Sequence, residues 1–237
     1  MPTYIYAITS SDHPLRIDSL KGVGEPAPPV RTVRAEKLTA VVSDAPDGLR
    51  AKRRDVSAHQ AVLETLMADG AVLPMRFGLV GPDDAQVAAA LDDNEDGYRE
   101  RLKALDGCLE FNLKVSRDED DLLREILRES AEIRDLNEHT KQHPGAQNEK
   151  MRLGELITQE VSARQERDAR EFTERLSPAA LGTSRGEAVQ DALLNVSFLV
   201  RRDGAAAFSE AVHEEAGRHS EAYTIRLNGP LPPYSFV

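Results

Sequence analysis

Val72-Leu-Pro-Met-Arg-Phe-Gly-Leu-Val80, a helical stretch from Val87 to Leu105, and Leu109-Glu-Phe-Asn-Leu-Lys-Val115 follow one another as strand, helix, strand. This succession decides the fold class. Pro74 lacks an N–H and pushes the first strand toward a sheet edge or a bulge. Val87, Leu91, Asn94, Tyr98, Leu102 and Leu105 recur at alternating steps of four and three, the stripe of one amphipathic helix. Gly97 weakens that helix without ending it. Leu109 to Val115 alternates apolar and polar residues at the period of a strand.

Upstream, Tyr4-Ile-Tyr-Ala-Ile8 and Leu38 to Ser43 read as short strands separated by a glycine- and proline-rich loop from Gly22 to Pro29, and Val33 begins a further hairpin strand. Asp55 to Ala68 places Val56, His59, Val62, Leu63 and Leu66 on one helical face, and Gly70 stops the helix. Residues 1–116 therefore read as a ferredoxin-like α+β domain with its helices packed on one face of one sheet.

Downstream, Ser116-Arg-Asp-Glu119 forms a capping box that starts a helix running to Thr140. His143-Pro-Gly145 breaks it, and a second long helix runs from Asn148 to Leu176. Glu160/Arg164, Glu166/Arg170 and Glu171/Arg175 are four-apart ion pairs on that helix, whose middle is expected to face solvent or a partner. Ala188 to Val200 is the longest apolar run, followed by a helix carrying Phe208 and Val212 and a strand with Tyr223, Ile225 and Leu227. Residues 117–237 thus read as a second α+β domain: a helical hairpin over 117–176, strand-helix-strand over 186–228, and an extended tail over 229–237.

The 237 residues, 40% hydrophobic and 30% charged, suffice for a folded core. A net charge of −11 and a pI near 5.1 argue against nucleic acid and anionic membrane surfaces, and Lys52-Arg-Arg54 is too small a cluster to reverse that. One cysteine, Cys108, cannot form an internal disulfide and fits a reducing compartment. No apolar run approaches the ~20 residues needed to span a bilayer. No signal peptide precedes the first strand, so a cytoplasmic setting is expected.

No residue pattern commits to catalysis, a cofactor or a metal. His213 and His219 are six apart, which sets them about 120° apart around a helix. Asp118-Glu-Asp-Asp121 fans around a helix start, and Gly22-Val-Gly24 is followed by prolines, not by a helix. Cys108 reads as a small buried side chain. His59 lies on an apolar stripe, where a core histidine bonded to a backbone carbonyl is the structural reading and a general base the functional one. Arg76, inside an apolar segment, either pairs at the sheet rim or forms a charged anchor beside Phe77.

The ending Leu227-Asn-Gly-Pro-Leu-Pro-Pro-Tyr-Ser-Phe-Val237 is apolar and stiffened by proline. Pro230, Pro232 and Pro233 exclude helix and an internal sheet position, leaving an extended strip that docks on its own domain or waits for a partner. Together with Val72-Leu-Pro-Met-Arg-Phe-Gly78, Leu193-Leu-Asn-Val-Ser-Phe-Leu-Val200, the opening strand, Ala40-Val-Val-Ser43, His59 and Leu105-Asp-Gly-Cys-Leu-Glu110, this ending resembles the gas vesicle protein L/F family over nearly the whole chain. The resemblance leaves the L and F types unseparated. It implies a two-domain α+β protein without catalytic activity or cofactor, associated with gas vesicles in the cytoplasm. Its implied partners are the small hydrophobic gas vesicle shell protein (GvpA type) and other gas vesicle accessory proteins. Candidate contact residues are Leu73, Arg76 and Phe77, Arg164 on the long helix, and Leu231, Pro232, Pro233, Tyr234 and Phe236 in the tail. A small-molecule regulatory pocket and an enzyme using His59 are the readings from other classes.

Overall fold

The computed structural model describes residues 1–189 and 192–237. Among these residues the chain forms two antiparallel sheets and seven α-helices, a mixed α+β fold. It gathers into two units: Met1–Phe111, Leu199–Ala205 and Gly229–Val237 form the first, Asn112–Phe198 and Ala206–Asn228 the second. The tail, which the sequence grouped with the C-terminal segment, clusters with the first unit.

In the first unit, β1 (Thr3–Ser10) pairs antiparallel with β3 (Leu38–Asp44), from Thr3↔Asp44 to Ser10↔Leu38, with an irregularity between Ile5 and Ala7. The hairpin strand β2 (Arg31–Arg34) adds to β3, with Val33 opposite Ala40. The expected strand over Val72–Val80 splits into β4 (Leu73–Pro74) and β5 (Val80–Gly81), which pair opposite ends of β1. Pro74 sits on an edge strand, where a missing N–H costs least.

Helices cover both faces of this sheet, not one. From α1 (Arg53–Asp69), His59 meets the rings of Tyr4 and Tyr6 on β1. Ile8, Ala40 and Val42 cluster instead with Val87, Leu91 and Leu102 of α2 (Asp84–Asp93) and α3 (Glu95–Ala104). Side chains alternate across a strand, so β1 and β3 are buried on both sides. The single helix expected over Val87–Leu105 is two, broken at Asn94, where φ is −119° and ψ 19°. The Asn94 amide donates to the Ala90 carbonyl at 3.0 Å, the local bonding by which asparagine competes with helix propagation. Val56 does not share the buried face of α1; Asp55 holds that position.

The second sheet consists of β6 (Cys108–Arg117), β7 (Gly182–Arg185), β8 (Leu194–Arg201) and β9 (Tyr223–Leu231), in the order β7-β8-β6-β9. The run Leu109–Val115 thus belongs to this sheet and not to the first. Pro230 lies in β9, an edge strand. Along β2-β3-β1-β4 of the first sheet, where β5 also pairs β1, and across the four strands of the second, the strands in chain order stand as second, third, first, fourth.

In the second unit, α4 (Glu119–Glu129), α5 (Ala131–Gln142) and α6 (Gln147–Leu176) replace the expected two-helix hairpin. β6 runs on through Ser116, so Asp118 caps α4 by accepting from the Asp121 amide at 2.8 Å, and the expected Ser116 capping box does not form. Ser130 is extended and caps α5. Leu122, Ile126 and Ile133 form a small core with half-buried Leu153, Leu156, Ile157 and Val161 of α6. α7 (Ala205–Ala216) buries Phe208 and Val212, as its spacing predicts. Residues 190 and 191, within the expected run from Ala188 to Val200, lie outside the described residues.

Candidate functional site

Three places hold the residues singled out by sequence, and each has its own electrostatics. The first is the loop between β4 and β5. Leu73 is fully buried in the sheet and offers no contact surface. Arg76 is exposed, whereas Phe77 is half-buried against Tyr4 and His59, with centroids 6.0 and 5.7 Å away. His59 Nε2–H donates to the Met75 carbonyl at 3.1 Å, so Nδ1 accepts from the Tyr4 hydroxyl at 2.9 Å. The Tyr4 oxygen in turn accepts from the Gly78 amide at 3.2 Å. Burial lowers the His59 pKa and keeps the ring neutral. With both nitrogens engaged and 2% of its surface exposed, His59 pins the loop and has no free lone pair for a substrate. Next to this pinned loop, Leu79 and Val80 are 43% and 42% exposed.

The second place is the arginine pair of the helical unit. Arg164 is not a solvent-facing anchor: it is 7% exposed and pairs with Glu125, with Glu129 at 2.9 Å and with Glu160 at 3.4 Å. Arg117 shares Glu125, reaches Asp121 at 3.1 Å and Asp168 at 3.4 Å, and stacks over the Tyr223 ring at 5.0 Å. The ion pairs raise the pKa of each guanidinium against the opposing effect of burial. Sequence spacing offered only Glu160/Arg164; Arg117 and Glu125 are brought in by tertiary packing.

The third place is the tail. Pro232 and Pro233 are buried, and Leu231, Tyr234 and Phe236 are half-buried. Phe236 and Val237 pack on the core of the first unit, and Tyr234 to Phe236 form a single 3₁₀ turn. Glu110 of β6, 4% exposed, accepts from the Ser235 amide and from its hydroxyl, both at 2.8 Å. Burial, reinforced by the Glu110 carboxylate, pushes the Tyr234 phenol up to about 12. The tail is therefore docked on its own unit. Glu110 was missed by sequence reading because it sits on the polar side of an alternating strand, where nothing local marks a charge as buried.

The two C-terminal histidines do not form a metal pair. His219 stacks on Phe172 at 4.3 Å and lies 3.0 Å from the buried Glu215. Among the described residues no group of three or more His, Cys, Asp or Glu side chains converges as a metal site, and no helix is long and apolar enough to cross a membrane.

A family model described as gas vesicle synthesis protein GvpL/GvpF matches residues 2–237. The chain is 44% identical to gas vesicle protein F of Streptomyces sp. (strain CB03234) over 240 residues, covering all of both chains. It is 28% identical to gas vesicle protein L of the same strain, covering 99% of this chain and 92% of that protein. The crystal structure of GvpF from Anabaena sp. PCC7120 superposes with a TM-score of 0.82 at 26% identity, covering 99% of this chain and 97% of that one.

Proposed function

Because this chain belongs to the gas vesicle protein L/F family, we propose that it is a non-catalytic accessory protein that binds the hydrophobic shell subunit (GvpA type) during gas vesicle assembly in the cytoplasm. The greater identity to an F protein than to an L protein of one strain supports the F type. The shared strand order of the two sheets supports a ferredoxin-like plan for each, the first with a loop in place of its first crossover helix.

The observation that carries the binding role is the exposed pair of Leu79, at the end of the loop, and Val80, at the start of the edge strand β5, beside the loop held by the Tyr4–His59 pin. A sheet edge offers unpaired backbone groups to an incoming strand, and apolar side chains beside it add affinity. An acidic body keeps the resulting complex soluble by charge repulsion. Such a surface shields an apolar subunit until it joins the growing wall. Engaged nitrogens on His59 support the non-catalytic half of the reading.

Purified chain mixed with the shell subunit tests this. Co-elution and delayed aggregation of the shell subunit, held over a range of salt concentrations, are expected. Absence of both across that range overturns the proposal.

A further inference from the structure

In β6 the apolar residues Leu109, Phe111, Leu113 and Val115 alternate with Cys108, Glu110, Asn112 and Lys114. Glu110 thus stands on the more polar side of its strand, and it is covered because residues 232–237 lie over it. A buried carboxylate is costly unless its lone pairs are filled, and here Ser235 fills both oxygens, by amide and by hydroxyl, at 2.8 Å. Ser235 itself lies at the surface. A purely structural cover over this spot would be served better by an apolar residue, which carries no desolvation cost. Glutamate differs in one respect: it is readily hydrated when the cover lifts, so the open groove stays soluble. At the start of the segment, Pro233 walls a cavity of about 240 Å³ whose other lining includes Leu105, Cys108 and Arg202.

We propose that residues 232–237 are a releasable strap, and that the Glu110 groove is a recognition site for an extended segment of a partner protein with the strap's own chemistry. That chemistry is a serine or threonine, presenting amide and hydroxyl to Glu110, followed by an aromatic residue on the apolar floor that Phe236 now occupies. The strap is the resident competitor. Prolines before the serine hold such a segment extended and reduce the entropy lost on docking. The inference does not depend on shell-subunit binding, since its probe is a peptide.

A labelled peptide of sequence Leu231 to Val237 is titrated onto the full chain by fluorescence anisotropy. The chain carrying Ser235→Ala with Phe236→Ala, whose own strap is weakened, is expected to bind the peptide at least tenfold more tightly than the unmodified chain. Adding Glu110→Ala to that variant is expected to reverse the gain. Equal binding by all three chains, or no binding by the folded strap variant, overturns the proposal. Should the variants fail to fold, amide exchange on the unmodified chain decides. The Ser235 and Phe236 amides are expected to exchange while β1 and β3 stay protected, and exchange only on global unfolding overturns the strap. Concentration-dependent dimers of the unmodified chain would make a second copy the occupant and overturn the partner assignment.

Discussion

The Tyr4 hydroxyl donates to Nδ1 of His59 across 2.9 Å while the opposite ring nitrogen of His59 serves the Met75 carbonyl, which fixes both the tautomer and the charge of a buried imidazole. One strand residue and one helix residue thereby hold the loop that carries Arg76 to Leu79. The pin adds to backbone bonds at the two ends of the loop, where the Met75 amide donates to the Tyr6 carbonyl at 2.8 Å and the Ile5 amide to the Leu79 carbonyl at 3.0 Å.

That pin makes stability pH-dependent with a definite sign. The folded-state pKa of His59 lies below its unfolded value near 6.5, so between the two the unfolded chain binds the extra proton. The neutral histidine's contribution is fully present above pH ~6.5 and is lost as pH falls toward the lowered folded value. Urea midpoints are expected to fall from pH 7 to pH 5 in the native chain. They should fall less in His59→Gln.

Removing the ring altogether tests the structural role. In His59→Leu the Tyr4 hydroxyl loses its acceptor and the Met75 carbonyl its donor, each orphaned group costing about 1–3 kcal/mol. Denaturant unfolding should show that loss. A variant as stable as the native chain would mean that His59 is not a pin.

How much of this was readable in the chain depends on the range of the interaction. Local periodicity gave β1, β3, α1 and α7, with Gly70 marking the end of α1, because a strand or helix face is written at steps of two or three to four residues. It failed where a local polar competitor mattered: Asn94 cut one expected helix, and Asp118 with Ser130 reset the starts of two others. The sheet membership of β6 was not legible either, since an alternating strand does not name its neighbours. Arg164 looked like a surface charge because its partners Glu125 and Glu129 sit more than thirty residues away. Whether the tail docks turned on Glu110, which is 125 residues from Ser235.

Arg164 supplies a prediction of the opposite kind from a contact residue. Arg164→Met keeps the stem but removes a charge that serves Glu125, Glu129 and Glu160. Those carboxylates retain 27–51% exposure and can rehydrate, so the loss should be about 1–3 kcal/mol, less than for a sealed pair. Amide exchange should localise it to α4 and α6, with shell-subunit association unchanged once folding is restored by lower temperature. Lost binding in a folded variant would return Arg164 to the contact surface.

Gly229 reports on the docking of the tail. Its φ of 155° lies where side chains rarely go, and an added Cβ would stand 2.6 Å from Phe111 Cδ1 and 3.1 Å from the Glu110 carbonyl oxygen. Gly229→Ala therefore combines backbone strain with a steric clash, each of order 1–3 kcal/mol. A lowered Tm together with faster exchange of the Ser235 amide is expected. An unchanged Tm would place the turn elsewhere.

The edge itself can be tested without disturbing the fold. Leu79 and Val80 are 43% and 42% exposed and lie outside the core cluster, so Leu79→Ser with Val80→Ser should change stability by no more than about 0.5 kcal/mol per site. If these side chains meet the shell subunit, each truncation removes apolar area from the interface at about 25 cal/mol per Å². A several-fold weaker association then follows. Pull-down or light-scattering titration of the double variant against the native chain, at matched folded fraction, reads that difference. Equal affinity would move the contact off β5 and leave the free edges of the second sheet to be tried by the same substitution of exposed apolar residues.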